Sequence, residues 1–527
     1  DKIQGGEGTD AIKVSAAGTV NGGAVSPTTS EFIQSGGFEV IDIASTADAA
    51  TLNVKDIADV ETVKAASNVG LFGVDGTTET DGDVVNFSLN GTAYTTGGRL
   101  AATAAIDTFE EIVAAKINTI TGFTAVAGTN TVTITNTKTS SEIVEFALTS
   151  VTGTGTVAAT GTTGYTNLAV SGITTQAIDV YSADTVTATM VDPSGDADVM
   201  NINLKSMLAD RSVAQTIGSI NVADTIETLN LNATGMKTQT TTAAVTRTLS
   251  DLTADASLTT LNISGTDNLT ISGVTGTSKL ATIAAGSHTG DLGLPGTASL
   301  AQTITTGSGN DTLAMAGNLT AADVIDLGGN TAGLTGAAGS DTLTATGNQG
   351  TSVAAAALQL SNVEKFQLTN TGTASTVIDG SKLSNVGEIA LSSAATGAFT
   401  FTNMEAGVKL GAGIAADELD AAVTWGLADA TGTEDALTVD YADTLNTNSS
   451  LALTTVGIET LNVVAEKNTA GTNTSTMVNT TMTAATINVT KGVANNILAL
   501  GTLNKATTTV DAGTSKSQMS LTAATAV

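Results

Sequence analysis

Along most of this chain, short apolar runs alternate with Thr, Asn or Ser, the two-residue period of a strand with one face inward and the other in water. The most informative run has the form apolar, Glu, x, apolar, x, apolar, and it recurs. Ile226-Glu227-Thr228-Leu229-Asn230-Leu231 and Ile458-Glu459-Thr460-Leu461-Asn462-Val463 are nearly the same hexamer. Val363-Glu364-Lys365-Phe366-Gln367-Leu368, Val60-Glu61-Thr62-Val63 and Phe38-Glu39-Val40-Ile41-Asp42-Ile43 are looser copies. Related strands without the Glu lie at Leu258 to Ile263, Leu269 to Ile271 and Thr486 to Val489.

Runs such as Asn232-Ala233-Thr234-Gly235 and Ser264-Gly265-Thr266-Asp267 separate these strands and supply Gly and Asx for tight turns. Short strands, short turns and no helical crossovers suggest coils stacked along one axis, each burying its neighbour's apolar edge. The expected fold is mainly β, a β-solenoid or β-helix-like stack with one small inserted α+β module. Residues 1–78 would open the solenoid, 79–165 form the insert and 166–527 the body. A string of β-sandwiches of about 100 residues each is the alternative. In the solenoid reading Ile226, Leu229, Leu231, Ile458, Leu461 and Val463 point inward, while Glu227 and Glu459 point outward.

The insert breaks the pattern. Val84 to Leu89 and Thr92 to Thr95 flank Asn90-Gly91, a two-residue hairpin signal. A helix is expected from Asp107 to Asn118, with Asp107 and Glu110 as capping box and Ile106, Phe109, Ile112, Val113 and Ile117 on one face. Strands follow at Phe123 to Val126, Thr131 to Thr135 and Glu142 to Leu148.

Composition narrows the function classes. The 527 residues carry 19 Lys+Arg against 50 Asp+Glu, a formal charge of -31, yet only 13% are charged. This excludes nucleic acid, whose phosphates need clustered Lys and Arg, and anionic lipid docking through a polybasic face. Divalent cations become the natural partners, because counter-charge would relieve the self-repulsion that opposes compaction. With no cysteine, disulfide scaffolds, thiol catalysis and cysteine zinc sites are out. Positive mean hydropathy sets disorder aside. Aromatics at 3% suit thin layers of small β-branched side chains better than a large globular core. No uninterrupted apolar stretch is long enough to span a membrane, and the chain opens on Asp1, so a removed leader or a longer parent chain is expected.

Candidate chemistry lies in the acidic turns. Gly5-Gly6-Glu7-Gly8-Thr9-Asp10-Ala11-Ile12-Lys13 fits the nonapeptide GGxGxDxUx, with U a large apolar residue. Its glycines aim backbone carbonyls inward, its Asp adds a carboxylate and its apolar residue starts a strand. Two such turns on adjacent rungs could surround Ca²⁺, which takes six to eight oxygens. Weaker copies run from Gly307 to Leu313, from Gly336 to Leu343 and from Gly265 to Leu269. Asp-Thr-apolar fragments at Asp184, Asp224 and Asp443 read as solvated Asx turns. Two other acidic turns, Asp192, Asp196 and Asp198 in VDPSGDADV and Glu79, Asp81 and Asp83 in TETDGDV, are metal candidates that lack the terminal bidentate Glu of a helix-loop-helix calcium loop.

GGEGTDAIK and TGSGNDTLAM resemble the repeats-in-toxin (RTX) nonapeptides, and the Thr/Ala/Gly-rich body with IETLNL strands is similar to the RTX-bearing surface-layer proteins of diderm bacteria. The resemblance implies type I secretion, calcium-dependent folding and crystallisation into a sheet on the cell surface, with other copies of the chain, and lipopolysaccharide through a region the sequence does not identify, as the partners to test. Carried over to this chain, it implies Asp10, Asp311 and Asp341 as calcium ligands, with Gly8, Gly309 and Gly339 as carbonyl donors. The nonapeptides here are isolated, whereas the family's calcium blocks hold several in tandem, and no secretion-signal-like end is visible at Val527.

An RTX adhesin needs the same length, export and calcium, although its tandem domains should be near-identical and these copies diverge. A polysaccharide-active β-helix enzyme would need converging acid and base groups. The single histidine, His288 in a Gly/Ser turn, reads as solvent-exposed decoration without a triad partner, and Trp and Tyr for sugar stacking are scarce. The expected role is structural and not enzymatic.

Overall fold

The computed structural model describes residues 8–14, 19–20, 39–45, 50–54, 59–67, 69–78, 82–90, 92–98, 108–137, 144, 146–154, 156–158, 162–164, 167–181, 185–191, 195, 197–206, 214–222, 226–236, 245–297, 300–320, 322–329, 340–346, 359–369, 375–391, 398–412, 420–441, 449–465, 474–481, 484–491, 497–503, 506–515 and 518–522. They form two compact units, residues 1–280 with 287–291 and residues 281–286 with 292–527. Each unit is a β-solenoid of stacked parallel strands.

In the first unit the chain alternates between two sheets. Val199–Leu204, Thr228–Ala233 and Thr260–Gly265 stack in one; Gln215–Val222 and Thr246–Ala254 pair in the other. The register places like on like, with Leu229 facing Leu261, Leu231 facing Ile263, and Asn230 facing Asn262. Strand alternation then makes continuous columns. Ile226, Leu229, Leu231, Ile458, Leu461 and Val463 all point inward and are at most 1% exposed. Truncating one such Leu to Ala removes a layer contact from both neighbouring rungs, a change that costs roughly 2–5 kcal/mol in packed cores. On the outer face, Asn262 donates to Asn230 and Asn230 to Asn201, each at 2.8 Å, so the polar columns are bonded ladders too.

The second unit keeps one long sheet running from Leu292–Pro295 to Thr509–Asp511, and its partner sheet changes along the way. Strands from Thr303–Thr305 to Leu383–Ser384 form the first partner; a seven-stranded parallel sheet from Thr376–Asp379 to Gln518–Thr522 forms the second. Inside that second part Phe399, Phe401 and Trp425 are buried with ring centroids 6.2 and 5.1 Å apart, so the chain's one Trp fills core space. Where the chain turns, Asn362 and Asn385 adopt φ of 54° and 56°, a conformation that Asn tolerates better than most residues. Their amides form another ladder, Asn385 donating to Asn362 and Asn362 to Asp326.

The inserted module interrupts the first unit without breaking its ladders. Val63 pairs with Ile178 and Leu52 with Val170 across it. It begins before residue 79, because Val69–Gly73 and Asp75–Thr78 already pair with strands of the module. The helix spans Phe109–Ile117 and packs Phe109, Ile112, Val113 and Ile117 on a core that includes Phe72, Phe87 and Ile134. Its cap differs from the expected one. Thr108, not Asp107, is the N-cap, and its hydroxyl accepts the Glu111 amide while Glu111 accepts the Thr108 amide. A Thr cap with Glu at the third helical position satisfies two otherwise open donors, whereas Asp107 lies outside the described residues. Past the helix, the Asn118 side chain bonds both the N–H and the C=O of Ala125, closing part of the edge of strand Phe123–Gly128.

Thr108→Ala should lower the module's stability by about 1 kcal/mol, and Asp107→Ala by much less. Hydrogen exchange at the Glu111 amide, compared among wild type and both variants, checks this.

Candidate functional site

Among the described residues, Asp10, Asp83, Asp198, Asp267, Asp311 and Asp341 each sit where a chain enters a strand, and the ladder shows how such a position is bonded. In a parallel pair, the residue ahead of a strand offers its C=O to the next rung. Thus Asp311 C=O accepts the Thr342 amide, and Asp341 C=O accepts that of Lys365. Its own N–H points towards the same neighbour, but the neighbour's chain is still in its turn and brings no carbonyl to that place. A buried amide without an acceptor costs about 1–3 kcal/mol.

A carboxylate from the facing residue fills the gap. Asp341 accepts the amide of Asp311 at 2.7 Å, Glu364 that of Asp341 at 2.8 Å, and Asp311 that of Leu292 at 2.9 Å. The arrangement repeats with Glu39 on Asp10, Glu227 on Asp198, Asp323 on Gln302 and Glu459 on Asp435. Asp311, Asp341 and Glu364 share one register column, since Thr312, Thr342 and Lys365 are paired. The Asp of the glycine-rich turns and the Glu of the hexamers therefore hold the same position. This corrects the outward orientation expected for Glu227 and Glu459: both are half-buried and reach back along the axis to the preceding rung.

Two further described candidates, Asp267 and Asp83, are also engaged. Asp267 is buried with Arg247, whose Nη2 donates to it at 2.8 Å and Nε at 3.1 Å. Arg247 further binds the carbonyls of Lys205 and Thr234 and the side chain of Gln215, and Asp267 accepts the Met236 amide. That set satisfies a buried ion pair that would otherwise cost several kcal/mol. Asp83 accepts the Thr154 amide and packs against Gly153, where any Cβ would collide with its carboxylate. Gly8 is exposed at φ of 127°, and Gly309 is buried. Gly339, Glu79, Asp81, Asp184, Asp192, Asp196, Asp224 and Asp443 lie outside the described residues.

His288 is not surface decoration. It ends strand Thr282–His288 facing inward, is 1% exposed, and neither ring nitrogen has a hydrogen-bond partner. One cleft of about 310 Å³ lies between Val324, Gln359, Ser361, Ser381, Lys382 and Ser384, and Lys382 is its one titratable group.

The calcium implied by the nonapeptides can be tested on these contacts. Ca²⁺ takes six to eight oxygens, but amide N–H groups, which repel a cation, are aimed at the carboxylates of Asp311 and Asp341. Among the described residues, no three Asp, Glu, His or Cys side chains gather where they could hold a metal. At Asp311 and Asp341 one carboxylate oxygen is thus taken up by an amide, while residues 1–7 and 330–339, in the turns ahead of Asp10 and Asp341, lie outside the described residues.

Burial raises the pKa of Asp323 above its ordinary 3.8, against the opposing effect of hydrogen bonds from Thr320 and Gln302. A raised folded-state value means that this carboxyl favours the fold most when protonated. Its contribution is full below 3.8 and declines as pH rises through the raised value. The stability advantage of wild type over Asp323→Asn should therefore shrink with rising pH, as read by urea unfolding at a series of pH values; an advantage that grows would contradict it. A scan against protein-family models finds no match for the chain, and a search of curated proteins finds no significant relative.

Proposed function

We propose that the chain is a structural subunit of a secreted, self-assembling surface layer on a bacterial cell, working outside the cell with other copies of itself as its main partner. The observation that carries the reading is the solenoid itself, in which bonded polar ladders cover the outer faces and acidic residues hold the rungs. Such a body gives rigidity along its axis and a different set of surface side chains at each rung. A lattice subunit needs that variety, because it must make several distinct contacts from one chain.

The enzyme alternative has less support. The described cleft offers one ammonium group, Lys382, among hydroxyls, an amide and aliphatic carbons, with no carboxylate in its lining to act as its acid or base partner. His288, the other candidate, is enclosed in the core. No helix among the described residues is long and apolar enough to cross a membrane, which says nothing of a β-barrel. The resemblance to RTX surface-layer proteins favours the lattice over an adhesin, because these rungs diverge in sequence.

Electron microscopy of the purified protein, concentrated with and without millimolar calcium, tests the reading. Ordered planar sheets are the expected result. A protein that stays monomeric under every condition contradicts it.

A further inference from the structure

We infer that Asp311 and Asp341, the acids of two nonapeptide-like turns, are clasps between rungs and not calcium ligands, like Glu364 in the same column, so that these turns hold the solenoid through backbone amides. The inference concerns folding of the single chain and is independent of whether that chain forms a lattice.

Three observations carry it. Asp311 and Asp341 follow glycine-rich turns and Glu364 does not, yet all three occupy one column and each accepts the amide one rung back. Their shared role thus does not depend on the glycines that would aim carbonyls at an ion. Next, one oxygen of each of these carboxylates already accepts a backbone N–H at 2.7 to 2.9 Å, a bond that a carboxylate makes more strongly than a neutral acceptor. Finally, in the weaker copy at Gly265-Thr266-Asp267, the cation beside the carboxylate is the chain's own Arg247, fully buried with it. At Asp311, Asp341 and Asp267 the structure supplies a protein donor where the motif suggests a metal.

The proposal assigns Asp341 a specific neighbour, the Asp311 amide, which Asn could still serve and Ala could not. Wild type, Asp341→Asn and Asp341→Ala, each as the full chain, are melted in excess chelator and in millimolar calcium, and amide exchange is followed at Asp311. Wild type and Asp341→Asn should respond to calcium alike and protect the Asp311 amide, whereas Asp341→Ala should lose about tenfold or more of that protection. A calcium-induced rise in Tm that vanishes in Asp341→Asn overturns the inference, because a ligand stabilises only the form that binds it. So does an Asp311 amide that exchanges equally fast in wild type and Asp341→Ala. If Asp341→Ala does not fold, the calcium response of Asp341→Asn against wild type still decides between clasp and ligand.

Discussion

Several rungs of this parallel solenoid share one weak place, the amide just ahead of the strand, as at Asp10, Asp198, Asp311, Asp341 and Asp435. Its carbonyl joins the ladder, but its N–H faces a neighbour that has not yet begun its strand. Here a carboxylate from the next rung closes that amide, from Glu39 on Asp10 to Glu459 on Asp435. The geometry fixes both the residue type and its place. Only a side chain with an acceptor, set directly opposite the open amide, can reach it, and the carboxyl groups of Asp and Glu supply one. Hydrophobic columns supply most of the driving force for stacking, while the clasps fix which residue of one rung sits on which residue of the next. A slip of one residue would move the acid off its amide and turn the apolar column outward together.

The acidic composition looks different in this light. A charge of -31 on a chain poor in Lys and Arg suggests a surface awaiting cations. Several of those acids instead lie inside or at the corners, with Asp311, Asp323 and Asp341 at most 1% exposed. They are ligands for backbone N–H groups. Arg247 and Asp267 take the same principle to its limit, an ion pair closed inside the coil with every visible donor engaged.

The sequence made the architecture readable because strand alternation is strict and repeated, and the inward residues of both IETLN hexamers are buried as that alternation requires. The role of the Glu was not readable from alternation, which assigns a face to residues within a strand and is silent about one just ahead of it. Comparing hexamer and nonapeptide in register would have revealed it, since both place an acid immediately before the Thr or Lys that opens the strand. Arg247 carried its own signal, occupying the inward slot two residues before Leu249, although a charged residue in such a slot reads first as an error of register. His288 was misplaced because Gly and Ser around it suggested a turn, whereas the strand runs through to it. The helix cap shifted by one residue because Asp107 and Thr108 are both competent caps and only the start of the apolar face distinguishes them.

The account is tested most directly by site-resolved hydrogen exchange on the unmodified protein. It predicts that the amides of Asp10, Asp198, Gln302, Asp311, Asp341 and Asp435 are protected to the degree of the first residues of the strands that follow them. Exchange of these amides at the rate of open turns, with the strands still protected, would contradict it.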